Sequence, residues 1–145
     1  MNKTYQLQLI DDSNYHISLE KASFDSLNVP ESVPDGIKFT LRTKDSYKIL
    51  KLTNEKVEFE FKREKFFEPA GLFKIEIVLT VGYKLKKSKN KEREKIIKED
   101  IKNKYRNLFS PAATRASILV SALTNIDWKE PVVDPPYPLF KDDKD

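Results

Sequence analysis

The sequence predicts one α+β domain: a four-stranded antiparallel sheet with two C-terminal helices packed on one face. Two patterns predict it. In the first half of the chain, apolar residues alternate with polar ones, which is typical of strands with one buried face. In the second half they recur every three or four residues, which is typical of amphipathic helices. The length of 145 residues fits a single domain over residues 1–145.

Several stretches carry the strand pattern, and short connections separate them, which favours an antiparallel sheet. The apolar positions are odd-numbered, so we expect the odd-numbered side chains to face the helices. Between Tyr47 and Leu52 the alternation weakens, which indicates a bulged strand. The alternating apolar residues are Tyr5, Leu7, Leu9, Tyr15, Ile17, Leu19, Ile37, Phe39, Leu41, Val57, Phe59, Phe61, Phe73, Ile75, Ile77, Leu79, Val81, Tyr83 and Leu85.

Two breaks divide the strands. Residues 28–36 contain two prolines and end in Asp-Gly, so they form an irregular crossover loop. Residues 68–71, Glu-Pro-Ala-Gly, form a short turn between two strands.

The helical half is predicted to contain two helices. The first carries an apolar stripe of Ile97, Ile101, Tyr105 and Leu108. Ser110 as N-cap and Pro111 at the first helical position predict that a second helix begins there. Its small and apolar residues would let another backbone approach closely. The predicted oligomer interface on this helix consists of Ala112, Ala116, Leu119 and Leu123.

The composition gives no support to catalysis. The chain has no cysteine and a single histidine, His16, on the polar side of a strand, so neither a catalytic triad nor a His-rich or thiolate metal site can form. It has three glycines and neither a GxxxxGK nor a GxGxxG motif, which excludes the usual phosphate-binding loops. We therefore expect a protein that is not an enzyme and needs no cofactor or metal.

No stretch approaches the roughly 18 apolar residues of a membrane span, and the N-terminus has no apolar region typical of a signal peptide. The protein is therefore expected to remain in the cytoplasm without membrane insertion. The last residues, 141–145, form a charged tail that we expect to be disordered.

The net charge of +4 is concentrated in one segment. Lys84–Arg106 contains eleven Lys or Arg residues against four Asp or Glu residues. Such a segment can bind nucleic acid, which is the alternative function. Against this, its only aromatic residue, Tyr105, lies on the apolar stripe and cannot stack on bases. A solvated helix face with internal ion pairs explains the same charges.

Apolar residues also occupy segments that should be exposed. They cluster around the crossover loop and in the proline-rich stretch that follows the helices. Part of them can close the core, and a contiguous exposed part would form a binding surface for extended polypeptides. The candidate binding residues are Phe24, Leu27, Val29, Val33, Trp128, Val132, Val133, Tyr137, Leu139 and Phe140.

The order of elements resembles that of the SecB export chaperones: a strand, a proline-bearing crossover, three further strands and two helices. Residues 107–115, NLFSPAATR, are similar to the segment that leads into the long helix of that family. Residues 131–140, PVVDPPYPLF, resemble its post-helix stretch, and residues 4–10, TYQLQLI, its first strand. Arg115 matches the family pattern, whereas Ala-Thr replaces the aromatic residue that usually precedes it.

This resemblance implies a homotetrameric chaperone that holds unfolded precursor polypeptides in long apolar grooves without ATP. The family's well-known members are acidic and pass clients to a translocase motor, whereas this chain has a pI of about 9.1. Two roles therefore stay open: a general export factor, and a chaperone dedicated to one partner such as an antitoxin.

Overall fold

The computed structural model describes residues 9–28, 35–87, 91–127 and 131–140. These form a four-stranded antiparallel sheet covered on one face by a single long helix. The predictions for Tyr5, Leu7, Val29, Val33, Trp128 and the tail 141–145 lie outside the described residues.

The elements follow one another along the chain as four strands and a helix. Their bounds are β1 (Ile10–Leu27), β2 (Thr40–Leu52), β3 (Lys56–Glu68), β4 (Leu72–Leu85) and α1 (Arg93–Asp127). The spatial order is β1-β4-β3-β2, so β2, β3 and β4 form a meander and β1 pairs with β4 across the crossover. Both β1 and β2 are edge strands.

The core lies between α1 and the two central strands, where the predicted alternation is confirmed. The odd-numbered residues of β4 from Phe73 to Tyr83 are buried, and those of β3 from Val57 to Phe61 are buried with them. Tyr83 reaches the helix, where its hydroxyl donates a hydrogen bond to the carbonyl of Leu108. Burial raises the pKa of Tyr83, so the hydroxyl stays protonated and remains a donor.

The edge strands depart from the simple alternation. β1 has an irregularity between Leu19 and Lys21, after which even-numbered residues share the core-facing register: Phe24 pairs with Ile75. Tyr15 and Leu19 are exposed at this edge, where no described strand pairs with the outer side of β1. β2 has a comparable irregularity between Ile49 and Lys51, which agrees with the weakened alternation in its sequence.

The prediction of two helices is wrong: α1 continues through Pro111 from Arg93 to Asp127. Proline lacks the N–H that would bond to the carbonyl of Asn107, a cost of about 3 kcal/mol in a helix interior. The fully buried stripe of Leu108, Phe109, Ala112 and Ala116 continues across the proline on both sides. Burial of that continuous stripe outweighs the local cost, so Ser110 is an interior residue and not an N-cap.

The single histidine lies on the outer face of the sheet, as its parity predicts. His16 pairs with Gly82 and lies so close over it that a Cβ atom at position 82 would overlap the imidazole ring. Gly82 therefore makes room for a cross-strand contact, and His16 has a packing role here.

Candidate functional site

Residues 131–140, which we call the C-terminal strap, run back along α1 over β2 and β3. Side chains of α1, β2 and β3 hold its main chain. Thr124 accepts a hydrogen bond from the amide of Val132 (2.7 Å), and Asp45 accepts one from the amide of Leu139 (2.6 Å). The carbonyls of the strap accept four further hydrogen bonds. Ser117 donates to the carbonyl of Asp134 (2.8 Å), and Thr114 donates to that of Pro136 (3.2 Å). Arg63 donates to the carbonyls of Pro135 and Tyr137 (3.0 Å each).

Beneath the strap lies a buried network of charged side chains. Arg63 is fully buried and forms a bidentate ion pair with Asp45, with both N···O distances at 2.8 Å. Lys65 lies 2.6 Å from the carboxylate of Asp134 on the strap. The second oxygen of Asp134 is 3.6 Å from Arg63 and has no hydrogen-bond partner in the described structure. The network joins the middle of the strap to β2 and β3.

At its end, the strap inserts an aromatic side chain into the core. The Phe140 ring packs among four other rings, and Phe140 forms a parallel bridge with Asp45 on the β2 edge. The ring-centroid distances are 5.1 Å to Tyr47, 5.4 Å to Phe109, 5.7 Å to Tyr105 and 6.1 Å to Phe61. Together with half-buried Val132, Phe140 completes the core from above.

The remaining predicted strap residues point outward. Val133 is 87% exposed, Tyr137 43% and Leu139 36%. Arg106 of α1 lies over the Tyr137 ring, 5.5 Å from its centroid. Of the predicted binding residues on the strap, Val132 and Phe140 are therefore half-buried against the core, and Val133, Tyr137 and Leu139 are exposed.

The predicted residues of β1 lie at the opposite edge of the sheet. Phe24 stacks on Phe73 at 5.0 Å, and Phe73 meets Phe67 edge-on at 4.9 Å. Leu27 is 39% exposed and lines a cavity of about 340 Å³ with Phe66 and Phe67. Phe24 and Leu27 thus lie on β1 at one edge of the sheet, whereas the strap ends beside β2 at the other edge.

The predicted oligomer interface is mostly covered by its own chain. Ala112 and Ala116 are fully buried, and Leu119 and Leu123 are half-buried against the core. Ala112 and Ala116 therefore offer no surface to a second copy. The large apolar side chains that α1 exposes among the described residues are instead Ile118 (63%) and Ile126 (77%).

The sequence prediction missed the polar residues that hold the strap. Arg63 and Lys65 occupy odd positions of β3, on the same face of the strand as buried Phe59 and Phe61. Charged residues on the core-facing side of a strand need buried partners of opposite charge, so the alternation pattern alone could have predicted a buried ion pair here. Asp134, within the proline-rich stretch, is the acidic partner of Lys65 and lies near Arg63.

No protein-family model and no curated protein sequence matches the chain. Among solved structures, it is similar to the SecB-like chaperone Rv1957 of Mycobacterium tuberculosis, solved in complex with a ChAD peptide from the HigA1 antitoxin Rv1956. That match has a TM-score of 0.51 and 9% identity over 87% of this chain and 86% of the other. A Streptococcus agalactiae protein of unknown function matches with a TM-score of 0.47 and 12% identity, over 84% and 98% of the chains.

At 9% identity, the first likeness shows the fold: the chain has a distant SecB-like fold. In the part of the chain that the structure describes, no helix is long and apolar enough to cross a membrane. Within those same residues, no group of three His, Cys, Asp or Glu side chains could hold a metal ion.

Proposed function

We propose that the protein is a chaperone that holds unfolded or extended polypeptides without ATP, acting by binding and not by catalysis. The observation that carries the proposal is the exposure of apolar side chains outside the buried apolar core. Leu27 and Ile37 are exposed on either side of the crossover, and Val133, Tyr137 and Leu139 on the strap. The SecB-like fold, found in a protein solved with a bound peptide, supports the same function.

Dispersed apolar side chains suit such clients because they offer area without demanding one sequence. Each well-buried apolar contact contributes about 1.5–3 kcal/mol. Association costs at least about 4 kcal/mol, so the roughly 8 kcal/mol of micromolar binding takes about 12 kcal/mol of contacts, which is about four to eight such side chains. Proline-bearing backbone lowers that cost because little of its freedom remains to be lost.

Replacing Leu27 and Tyr137 together by Ser tests the binding surface. Both side chains are exposed, at 39% and 43%, so the double variant should fold. We expect it to bind an unfolded client at least tenfold more weakly, since two apolar contacts are lost. The measurement is light scattering of an aggregating client without ATP, together with a titration of client binding.

A matched double variant, Ile49→Ser with Leu50→Ser, removes exposed apolar side chains from the β2 edge. It should retain client binding. Full activity in the Leu27/Tyr137 variant would show that clients bind elsewhere, and its unfolding would show that these residues serve the core.

We further propose that the domain assembles into a homotetramer, with the β1 edge as one contact. Tyr15 (45%) and Leu19 (50%) are exposed there, and Ile118 and Ile126 add apolar surface on α1. Light scattering at micromolar concentration should give four times the mass of one chain. Leu19→Lys should lower that mass, whereas Leu50→Lys on the other edge should not. A monomeric wild type would contradict this assembly.

Clients fall into two groups under this proposal: precursors destined for export, with a translocase motor as the next partner, and one dedicated partner such as an antitoxin. Both place the protein in the cytoplasm. A dedicated chaperone would protect its partner at stoichiometric concentration and leave unrelated clients to aggregate. A general factor would protect both kinds alike.

Nucleic-acid binding is the second candidate, and the eleven Lys or Arg residues of Lys84–Arg106 favour an anionic partner. Lysines on the outer sheet face pair with glutamates, as Lys48 does with Glu60 and Lys74 with Glu64. No ion pair within the described residues is found for Lys84, Lys86, Lys87, Lys91, Lys95, Lys98 and Lys102 of the basic segment, nor for Lys38, Lys44 and Lys51 on or beside β2. A nucleic-acid binder would show steeply salt-dependent binding to RNA or DNA and no suppression of aggregation.

A further inference from the structure

The contacts that hold the strap are of the kind that bind an extended peptide. Apart from the ion pair of Lys65 with Asp134, every hydrogen bond described above between the strap and the body joins a strap main-chain atom to a body side chain. The strap's pairing with the sheet is one bridge, between Asp45 and Phe140. Such contacts depend on an extended backbone and not on the side chains it carries.

Prolines fit this channel without losing a contact. In four of these hydrogen bonds the acceptor is a strap carbonyl, one from each of residues 134–137. Proline lacks an N–H but has a carbonyl, so a proline at these positions can still accept the bond. The amides that donate belong to Val132 and Leu139. The channel therefore accepts a stiff, proline-rich segment, whose ordering on binding costs little free energy.

Two strap side chains add chemical selectivity. Without Asp134, the channel floor would hold the charges of Arg63 and Lys65 against that of Asp45 alone, a net charge of +1. A carboxylate at that point balances the buried charge. Six positions later, Phe140 fills the space among the rings of Tyr47, Phe61, Tyr105 and Phe109.

We propose that this channel is a peptide-binding site whose resident occupant is the strap itself. A client segment takes the strap's place when it is extended, carries an acidic residue followed by prolines, and has an aromatic residue six positions after the acid. This inference rests on the proposed function and names the chemistry of its clients.

The first test uses a labelled peptide with the sequence of residues 131–140, PVVDPPYPLF, and the full-length chain. Asp134→Asn weakens the internal occupant, so the channel is open for a larger fraction of the time. We expect the variant to bind the peptide at least tenfold more tightly than the wild type does. The peptide PVVNPPYPLF should bind the variant at least tenfold more weakly than the acidic peptide. Equal affinities in both comparisons would overturn the proposal.

The second test locks the strap and does not depend on Asp134. The chain contains no cysteine, so Thr114→Cys with Pro136→Cys introduces one pair, at exposed positions that a 3.2 Å hydrogen bond joins. Oxidation should abolish peptide binding, and reduction of the same sample should restore it. Binding that oxidation leaves unchanged, or no binding to the reduced form at millimolar peptide, overturns the proposal. Aggregation suppression that persists in either case shows that the proposed function stands without this site.

Discussion

Replacing Ile77 by Asp is expected to unfold the domain or to lower its free energy of unfolding by at least about 4 kcal/mol. Ile77 is fully buried at the centre of β4, between Ala22 on β1 and Arg63 on β3. An ionised carboxylate there would lose its hydration and compete with Asp45 for Arg63, which is already bonded to Asp45 and the strap, while the apolar contacts of Ile77 would also be lost. Thermal and urea unfolding, followed by circular dichroism, measure the change.

The matched control is Lys74→Asp on the same strand. Lys74 is exposed on the outer face and lies 3.8 Å from Glu64, so its replacement removes one surface ion pair. We expect a loss of about 1 kcal/mol or less. Similar losses for the two variants would contradict the assignment of the sheet faces.

The buried face of the sheet could be predicted from the sequence for the two central strands, β3 and β4, each of which pairs with a strand on both sides. In β3 and β4 the burial of one face follows the alternation, as Phe59 and Ile77 show. At the edges, part of the apolar face stays uncovered, and irregularities shift the register, as between Leu19 and Lys21. Local alternation cannot reveal these shifts because they depend on the partner strand.

The helix could be predicted in position but not in number. Pro111 after Ser110 is a strong local start signal, and it predicts a break. The structure keeps one helix because Leu108 and Ala112, on either side of the proline, are buried by the same sheet. Burial against the sheet overrides the local start signal. The free energy of that burial cannot be estimated from a short sequence motif.

The sequence singled out the segment that forms the strap, but not how its residues are arranged against the body of the domain. Composition identified the proline-rich strap as unusual, yet it could not tell that Phe140 packs half-buried against the core while Val133 is exposed. That division depends on which strap atoms meet Arg63 and Asp45, residues distant in the sequence. The buried charges hold the strap, and their removal is therefore the sharpest test of the arrangement.

Arg63→Met should lower the free energy of unfolding by about 3–5 kcal/mol, because it leaves Asp45 buried without its ion pair. The guanidinium donates to Asp45 and to the carbonyls of Pro135 and Tyr137, and a methionine of comparable length replaces none of these bonds. The control is Arg42→Met, which breaks the exposed pair with Glu68 and should cost about 1 kcal/mol or less.

Adding Asp45→Leu to Arg63→Met separates the charge from the packing. If the loss comes from the unpaired carboxylate, removing that carboxylate should recover at least half of it, because two apolar side chains then face each other. Amide hydrogen exchange at Val132 and Leu139 should nevertheless stay faster than in the wild type, since the bonds from Arg63 to the strap carbonyls and from Leu139 to Asp45 remain absent. Wild-type exchange at both amides in the double variant would show that the aromatic contacts of Phe140 hold the strap without the charges.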